Sequence, residues 1–280
     1  MRSNSKTLNF VVLSIVFLGL VPLLYFATIE IGVARAEVSD SGNIASPEDP
    51  LDRYVENVAF GINEKLTFEI NYGFINAGGA TMEVARLIEY NNRPCYQVVT
   101  HAFSNSFFST FFRVDDRVES IIDAIGLFSW RFEKNLREGK YRADEQITFD
   151  QRRNLAYSGK DTVEVSPFIQ DALSVLFYVR TQELEVGKSV FVDNFTDDEM
   201  YSLEIKVLRK EEKTVPAGTF DCIVVEPLLQ SVGVFKHEGK LTVWLTDDRL
   251  KMPVLMKSKV LVGSISAELS EYSLGDIEVF

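Results

Sequence analysis

Cysteine and histidine are scarce in this chain of 280 residues, which contains two of each. Cys95, Cys222, His101 and His237 are isolated from one another, so no pair has the spacing of zinc ligands. We therefore expect no metal site. We interpret His101 as a packed or hydrogen-bonded side chain and His237 as part of a solvated turn.

Motifs of the common enzyme and cofactor-binding classes are also missing. The nucleophile pattern Gly-x-Ser-x-Gly is absent, and so are the glycine-rich loops that bind nucleotide phosphates or dinucleotides. We predict no cofactor and no catalytic residues. A hydrolase acting on envelope polymers stays open as an alternative, because the fold alone decides whether two distant carboxylates meet.

Basic residues are too few to balance the acidic ones, at 29 against 41, and the formal net charge is −12. A surface of that sign repels phosphate backbones and anionic lipid head groups. We therefore exclude nucleic acid as a partner. Membrane contact is expected only if the N-terminal segment is retained.

That N-terminal segment is the longest apolar stretch, with no charged residue between positions 10 and 29. Two basic residues precede it and the small-x-small site Ala34-Arg35-Ala36 follows, which is typical of an export signal. We predict that residues 1–36 are a signal peptide and that the protein is periplasmic. The alternative is an uncleaved inner-membrane anchor facing the periplasm, because about 20 apolar residues span a bilayer. No cysteine near this run offers a site for lipid modification.

The rest of the chain is predicted to be one domain. Residues 37–50 are rich in Ser, Gly, Asn and Pro and are expected to form a disordered spacer. Residues 51–280 are enough for a single large β domain, since β sandwiches and barrels reach about 200–250 residues undivided.

Alternation of apolar and polar residues predicts that this domain is all-β and mainly antiparallel. Leu66, Phe68, Ile70 and Tyr72 alternate with polar residues, and similar segments recur between short turn sequences. The predicted strands cover 66–72, 81–88, 95–102, 112–122, 129–136, 141–150, 189–195, 201–208, 220–226, 241–246, 254–262 and 265–272.

One segment, near 168–181, has helical rather than alternating spacing. Leu173, Leu176 and Phe177 follow a three-to-four period, and Asp171 is placed to cap the first turn. We predict a single helix that covers a rolled or half-open, β-barrel-like sheet.

A dense aromatic cluster is the first candidate binding site. Its members are Phe103, Phe107, Phe108, Phe111 and Phe112. Such a cluster can line a pocket for an apolar small molecule or a lipid, but core packing is the more common role of large aromatic residues in β domains. Together with the covering helix, the cluster nevertheless indicates a ligand.

Tyr178 and Arg180, at the end of the predicted helix, complete the candidate ligand-binding set. A cation there interacts favourably with the helix dipole, and Arg180 is predicted to pair with Asp247 or Asp248. Such a pair would hold the helix to the sheet. Ligand recognition by Arg180 is the alternative.

Cys95 and Cys222 are the remaining candidates for a structural role. An oxidising compartment permits a disulfide between them, whereas two separate buried thiols are equally ordinary. The sequence does not supply the Cα separation that decides between the two.

Several motifs in order along the chain resemble domain-of-unknown-function family 3108, a family of bacterial exported proteins. The resemblance covers about 63–270 and rests on the segments Glu64–Phe68, Gly73–Gly79, Gln170–Arg180, Val215–Phe220, Val243–Asp248 and Pro253–Val254. It implies an exported, β-rich fold around one helix, and it supplies no catalytic residues.

Three functions follow as hypotheses. The first is a non-enzymatic envelope protein that binds or carries an apolar ligand. The second is a structural or assembly factor that binds an envelope protein through an exposed strand edge. The third is the polymer hydrolase named above.

Overall fold

The computed structural model describes residues 51–228, 240–259, 263–278 and 280. The predicted signal peptide, the predicted spacer and His237 lie outside these residues. Within them, no helix has both the length and the apolar character needed to cross a bilayer.

Antiparallel strands dominate the described chain, as the alternating pattern predicts. The fourteen strands are β1 Lys65–Tyr72, β2 Ile75–Tyr90, β3 Arg93–Ser104, β4 Asp115–Asp123, β5 Ser129–Glu138, β6 Tyr141–Asp150, β7 Leu155–Ser158, β8 Asp161–Glu164, β9 Ser189–Thr196, β10 Glu199–Val215, β11 Gly218–Leu228, β12 Leu241–Thr246, β13 Pro253–Lys259 and β14 Ser264–Ser273. Two short helices accompany them, α1 Ser106–Ser109 and α2 Ser174–Thr181.

All fourteen strands form one open sheet with β8 and β9 at its edges. The order is β8 through β1, followed by β14 through β9. Each strand therefore neighbours the next one in sequence, except that β8 and β9 lie at opposite edges, and β1 pairs with β14. Two meanders are therefore joined along one strand pair in the middle of the sheet. The segment containing α2 links them between β8 and β9.

In several strands the buried face follows the period-two pattern. In β1, Leu66, Phe68 and Ile70 are fully buried, and they belong to a core that extends through both meanders. The prediction missed β7 and β8, each four residues long. Strands of four residues lack enough alternating positions to produce a recognisable pattern.

The sheet rolls so that its two meanders share one interior. Phe149 of β6 packs edge-on against Phe195 of β9, with ring centroids 5.9 Å apart. The segment before α2 also contacts both meanders. Ser129 donates its N–H to the carbonyl of Ile169, and Gln170 makes a parallel bridge with Asn194. The rolled, half-open architecture predicted from sequence is thus confirmed.

The predicted helix is confirmed, although it begins at Ser174. Its buried residues are Ser174, Val175, Phe177, Val179 and Arg180. Asp171 caps it as expected, because its carboxylate accepts the N–H groups of Leu173 and Ser174 at 2.7 and 2.8 Å. The helix α1 was not predicted, since four residues carry no periodic signal.

The disulfide alternative is wrong, because Cys95 and Cys222 are both free and buried. Cys95 lies on β3 and Cys222 on β11, and five strands separate β3 from β11 in the sheet. Burial raises the pKa of Cys95 to about 12 and that of Cys222 to about 11. Both residues are therefore neutral, packed thiols.

Candidate functional site

The sheet has two distinct ends. The β1–β2 turn, the β3–β4 connection and the β5–β6 turn join neighbouring antiparallel strands, so all three lie at one end, which we call the turn end. α2 contacts the opposite ends of these strands. Arg180 pairs with Glu64, next to the first residue of β1, and Asp171 binds Ser129, the first residue of β5. We call this the helix end.

The β3–β4 connection is built on an asparagine cap. Asn105 accepts the N–H of Phe108 through its side-chain oxygen at 2.9 Å, which starts α1. The same side chain donates to the carbonyl of Asn76 at 2.8 Å, and the Asn105 N–H donates to Ala77. These bonds hold the connection beside the β1–β2 turn.

Large apolar side chains are exposed on these two adjacent segments. Phe74 is fully exposed, at 107% of its reference area, while Phe107 is 64% and Phe111 73% exposed. We define the aromatic rim as Phe74, Ile75, Phe103, Phe107 and Phe111. Phe103, Phe107 and Phe111 belong both to the rim and to the cluster predicted from sequence. Because they are exposed, core packing is the wrong interpretation for these three residues.

The other two phenylalanines of the cluster, Phe108 and Phe112, are partly buried. The Phe112 ring lies against Gly139 in the β5–β6 turn, where an added Cβ would come within 2.6 Å of the ring. Gly139 also has a φ of +54°, which favours glycine. Phe112 therefore anchors the connection to the neighbouring turn and leaves the rim exposed.

A polar groove of about 380 Å³ adjoins the aromatic rim. His101, Phe103, Ser109, Arg113 and Asp115 contribute to its lining. His101 hydrogen-bonds Asp115 through Nε2 at 2.9 Å, as expected for a hydrogen-bonded histidine, and Arg113 donates to the same carboxylate at 3.0 Å. The His101 hydrogen bond, with Arg113, lowers the pKa of Asp115. The groove thus contains a charged carboxylate held between two nitrogen donors.

The serines of this groove do not complete a nucleophilic triad. The hydroxyls of Ser104 and Ser109 bond each other at 2.7 Å, and Ser104 also accepts the N–H of Val114. They support the base of the connection instead of engaging His101. In the described part of the chain, no group of three or more His, Cys, Asp or Glu residues is arranged to hold a metal ion.

Basic residues surround the connection despite the acidic net charge. Arg113, Lys140 and Arg142 are exposed. Gly139 donates its N–H to the carbonyl of Arg113 and accepts a bond from Arg142 at 3.0 Å, so the three cations belong to contacting segments. The turn end therefore combines exposed aromatics with a local cluster of positive charge.

Tyr178 and Arg180 lie at the helix end, away from the aromatic rim. The sequence prediction that the helix and the phenylalanine cluster act together is not supported, because they contact opposite ends of the strands. Tyr178 packs over Arg53, with the guanidinium carbon 5.3 Å from the ring centroid. Burial lowers the pKa of Arg53 to about 10.

Arg180 is fully buried and forms a bidentate pair with Glu64, at 2.6 and 2.8 Å. Its other donors reach the carbonyls of Leu250 at 3.1 Å and Ala59 at 2.9 Å. The rings of Phe60 and Phe177 pack over the same guanidinium group. These contacts tie α2 to the start of the sheet.

The predicted pairing of Arg180 with Asp247 or Asp248 is therefore wrong, although Arg180 does bind the turn that contains these two aspartates. Leu250, from this turn, supplies a carbonyl instead. Asp247 pairs with Lys210 at 2.8 Å, and Asp248 accepts N–H groups of its own turn. Glu64 escaped prediction because it is distant in sequence and no local pattern marks it.

Asp171 is a second buried polar centre at the helix end. Besides the two N–H groups of the cap, its carboxylate accepts the hydroxyls of Ser120 and Ser129 at 2.6 and 2.5 Å. Burial raises the pKa of Asp171 against these four hydrogen bonds, which lower it. The carboxylate thus joins α2 to β4 and β5.

A third polar centre lies inside the rolled sheet. Lys134 of β5 is almost fully buried, pairs with Glu145 of β6 at 2.5 Å and lies 3.9 Å from Asp197 in the β9–β10 turn. Burial raises the pKa of Asp197 to about 6; the positive charge of Lys134 lowers this pKa, whereas Glu145, Asp198 and Glu199 raise it further. A lysine among the apolar inward positions of β5 was a signal that the sequence interpretation overlooked.

This centre gives a pH prediction. The folded-state pKa of Asp197 lies above its unfolded value, so the folded state binds the proton more tightly. The resulting stabilisation is complete below about pH 4 and is lost as the pH rises through about 6. Asp197→Asn is expected to be more stable than the wild type at neutral pH, with a gap that narrows on acidification.

Urea denaturation of both proteins across this pH range measures the gap. Asn also tolerates the positive φ of position 197, which adds a pH-independent gain, so only the pH-dependent part is the test. Asp161→Asn, at an exposed aspartate at the start of β8, is the control. A gap that does not change with pH would contradict the assignment.

The geometry defines a class, an antiparallel β sheet rolled into a half-open barrel with a helix at one end. Within that class, the chain belongs to the family described as protein of unknown function, DUF3108, which matches residues 67–270. The resemblance seen in the sequence motifs is thereby confirmed. A search of curated proteins gave no match.

Comparison with solved structures found similar chains at very low identity. A β-barrel-like protein of family DUF1849 from Brucella abortus is 9% identical, covers 78% of this chain and 100% of its own, and has a TM-score of 0.53. A protein described as a lipoprotein, from Parabacteroides distasonis, is 10% identical with 79% and 100% coverage and a TM-score of 0.36. A protein described as exported, from Bacteroides fragilis, is 12% identical with 79% and 99% coverage and a TM-score of 0.31. The Brucella abortus protein shows a likeness of fold alone, and the other two carry no argument.

Proposed function

We propose that this protein is a non-enzymatic periplasmic protein that binds an amphiphile with an acyl chain at its turn end. The observation that carries the proposal is the exposure of Phe74, Phe107 and Phe111 on adjacent segments. Contiguous apolar surface of this kind marks interaction sites in soluble domains. Burying one phenylalanine side chain stabilises a complex by about 1.5–3 kcal/mol.

The groove beside the rim supplies the polar half of such a site. Binding sites for small molecules are mostly apolar with a few polar groups that orient the ligand. Arg113 and His101 provide nitrogen donors for an anionic head group, and Phe103 connects them to the aromatic rim. The Asp115 carboxylate orients both donors, since it accepts a hydrogen bond from each.

The periplasmic location rests on the N-terminal sequence. The apolar run at 10–29 and the small-x-small site after it are typical of an exported chain. An acyl amphiphile is an ordinary constituent of that compartment's boundaries. The binding chemistry and the export signal therefore support the same assignment.

Titration with a fluorescent fatty acid tests the proposal. Phe107→Ser combined with Phe111→Ser is expected to weaken binding by about tenfold or more, because losing 1.4 kcal/mol corresponds to a factor of ten. Phe191→Ser is the matched control, since Phe191 is equally exposed at 64% but lies on the edge strand β9. Equal affinity of all three proteins, or no binding by the wild type, would overturn the proposal.

A partner bound through a strand edge is the second candidate, and β9 favours it. β9 is an edge strand and carries the exposed Phe191. Within the described ranges, the bridge on its open side is the one between Gln170 and Asn194. An added strand would pair beyond that bridge. Crosslinking in cells that is lost in Phe191→Ser and kept in the Phe107 and Phe111 variant would favour this candidate.

A further inference from the structure

We infer that the turn end docks on the surface of a bilayer containing anionic lipids. This inference rests on the proposed function and extends it from a single ligand to the membrane that supplies or receives it. The docking surface consists of the tips of three neighbouring turns, with the aromatic rim on two of them and the basic residues Arg113, Lys140 and Arg142 beside it.

The rim side chains project away from the protein. Phe74 is more exposed than in its reference state, so it gains no shielding from the fold. Phe107 packs edge-on against Phe111, with ring centroids 5.5 Å apart, and both remain mostly exposed. Rings that project from adjacent tips are also suited to insertion among lipid chains, where large apolar side chains of peripheral proteins are buried.

The basic residues beside the rim favour a membrane surface of negative charge. Arg113, Lys140 and Arg142 are exposed on the connection and on the adjoining β5–β6 hairpin. Each basic residue near an anionic membrane contributes about 1 kcal/mol of attraction. Asp115, at the start of β4, is paired with Arg113 and His101, so the net positive charge beside the rim comes mainly from Lys140 and Arg142.

The rest of the molecule orients this contact. The chain as a whole carries a net charge of −12, which an anionic surface repels. The acidic turn between β9 and β10, with Asp197, Asp198 and Glu199, belongs to the other meander. The protein is therefore expected to bind with the rim and its neighbouring basic residues facing the membrane.

A tryptophan reporter with brominated lipids tests the contact site by site. Phe74→Trp, Phe107→Trp and Phe191→Trp are compared in the full chain, where Trp130 and Trp244 give a constant background. Vesicles contain phosphatidylcholine brominated in its acyl chains, with or without phosphatidylglycerol. We expect quenching and a blue shift at positions 74 and 107, increased by phosphatidylglycerol, and neither at position 191.

This readout is specific to position, so the apolar N-terminal segment does not imitate it. Replacing Lys140 and Arg142, which do not line the groove, together with Gln is expected to remove most of the quenching that phosphatidylglycerol adds, while leaving fatty-acid binding by the rim within about threefold. Quenching at 74 and 107 no greater than at 191 would overturn the docking surface.

Sedimentation of the vesicles separates this inference from the proposed function. Quenched protein that sediments with the vesicles supports docking. Quenched protein that stays in the supernatant shows extraction of single lipids, which overturns docking and leaves ligand binding standing. Docking without fatty-acid binding would overturn the proposed function and leave the membrane surface standing.

Discussion

Arg180→Met is expected to lower the free energy of unfolding by about 3–5 kcal/mol, because it leaves the carboxylate of Glu64 buried without its partner. Arg180 makes two bonds to Glu64 and one each to Leu250 and Ala59, all inside the protein. Urea denaturation measures the loss. If the variant fails to fold, the yield of soluble protein replaces the midpoint as the readout.

The control combines Arg180→Met with Glu64→Leu. Removing both charges from the interior is expected to restore at least half of the lost stability, because apolar residues often replace a buried ion pair without penalty. A single Arg180→Met variant within about 1 kcal/mol of the wild type would contradict the structural role, since that range is typical of exposed pairs.

Asp171→Ala is the second large effect, with an expected loss of about 3–5 kcal/mol. It removes the acceptor of four hydrogen bonds and leaves the hydroxyls of Ser120 and Ser129 buried, each at a cost of about 1–3 kcal/mol if unpaired. The N-terminal cap of α2 is lost as well, which adds about 1 kcal/mol. Thermal and urea denaturation both report the change.

Asp248→Ala is the comparison that separates the effect of burial from the effect of the number of hydrogen bonds. Asp248 also accepts one hydroxyl and two backbone N–H groups, from Thr246, Leu250 and Lys251, but it lies in an exposed turn. Water replaces its bonds when the side chain is removed, so we expect a loss of about 1 kcal/mol. Similar losses in both variants would show that hydrogen-bond number, not burial, decides the outcome.

The sequence predicted the parts of the fold that repeat locally. Alternation in segments such as Leu66–Tyr72 identified most strands, and the three-to-four spacing after Asp171 identified α2. The short strands β7 and β8 and the four-residue α1 were missed, because a periodic signal needs several periods. The pairing of β1 with β14 was equally inaccessible, since the two strands lie at opposite ends of the domain sequence.

The candidate site was predicted in its residue types and not in its geometry. The phenylalanines at 103–112 were identified, but their exposure depends on Asn105 and Gly139, which hold the connection on neighbouring turns. The groove partners His101 and Asp115 meet only through the register of β3 and β4. Arg180 was identified as an ion-pair residue, whereas its partner Glu64 depends on how α2 docks against the start of the sheet.

Native mass spectrometry of the protein isolated from its own envelope tests the proposed function most directly. The wild type and Phe191→Ser are expected to carry an adduct with the mass of an acyl lipid. The protein with both Phe107→Ser and Phe111→Ser is expected to be empty. An adduct kept equally by all three proteins, or absent from all three, would contradict amphiphile binding at the aromatic rim.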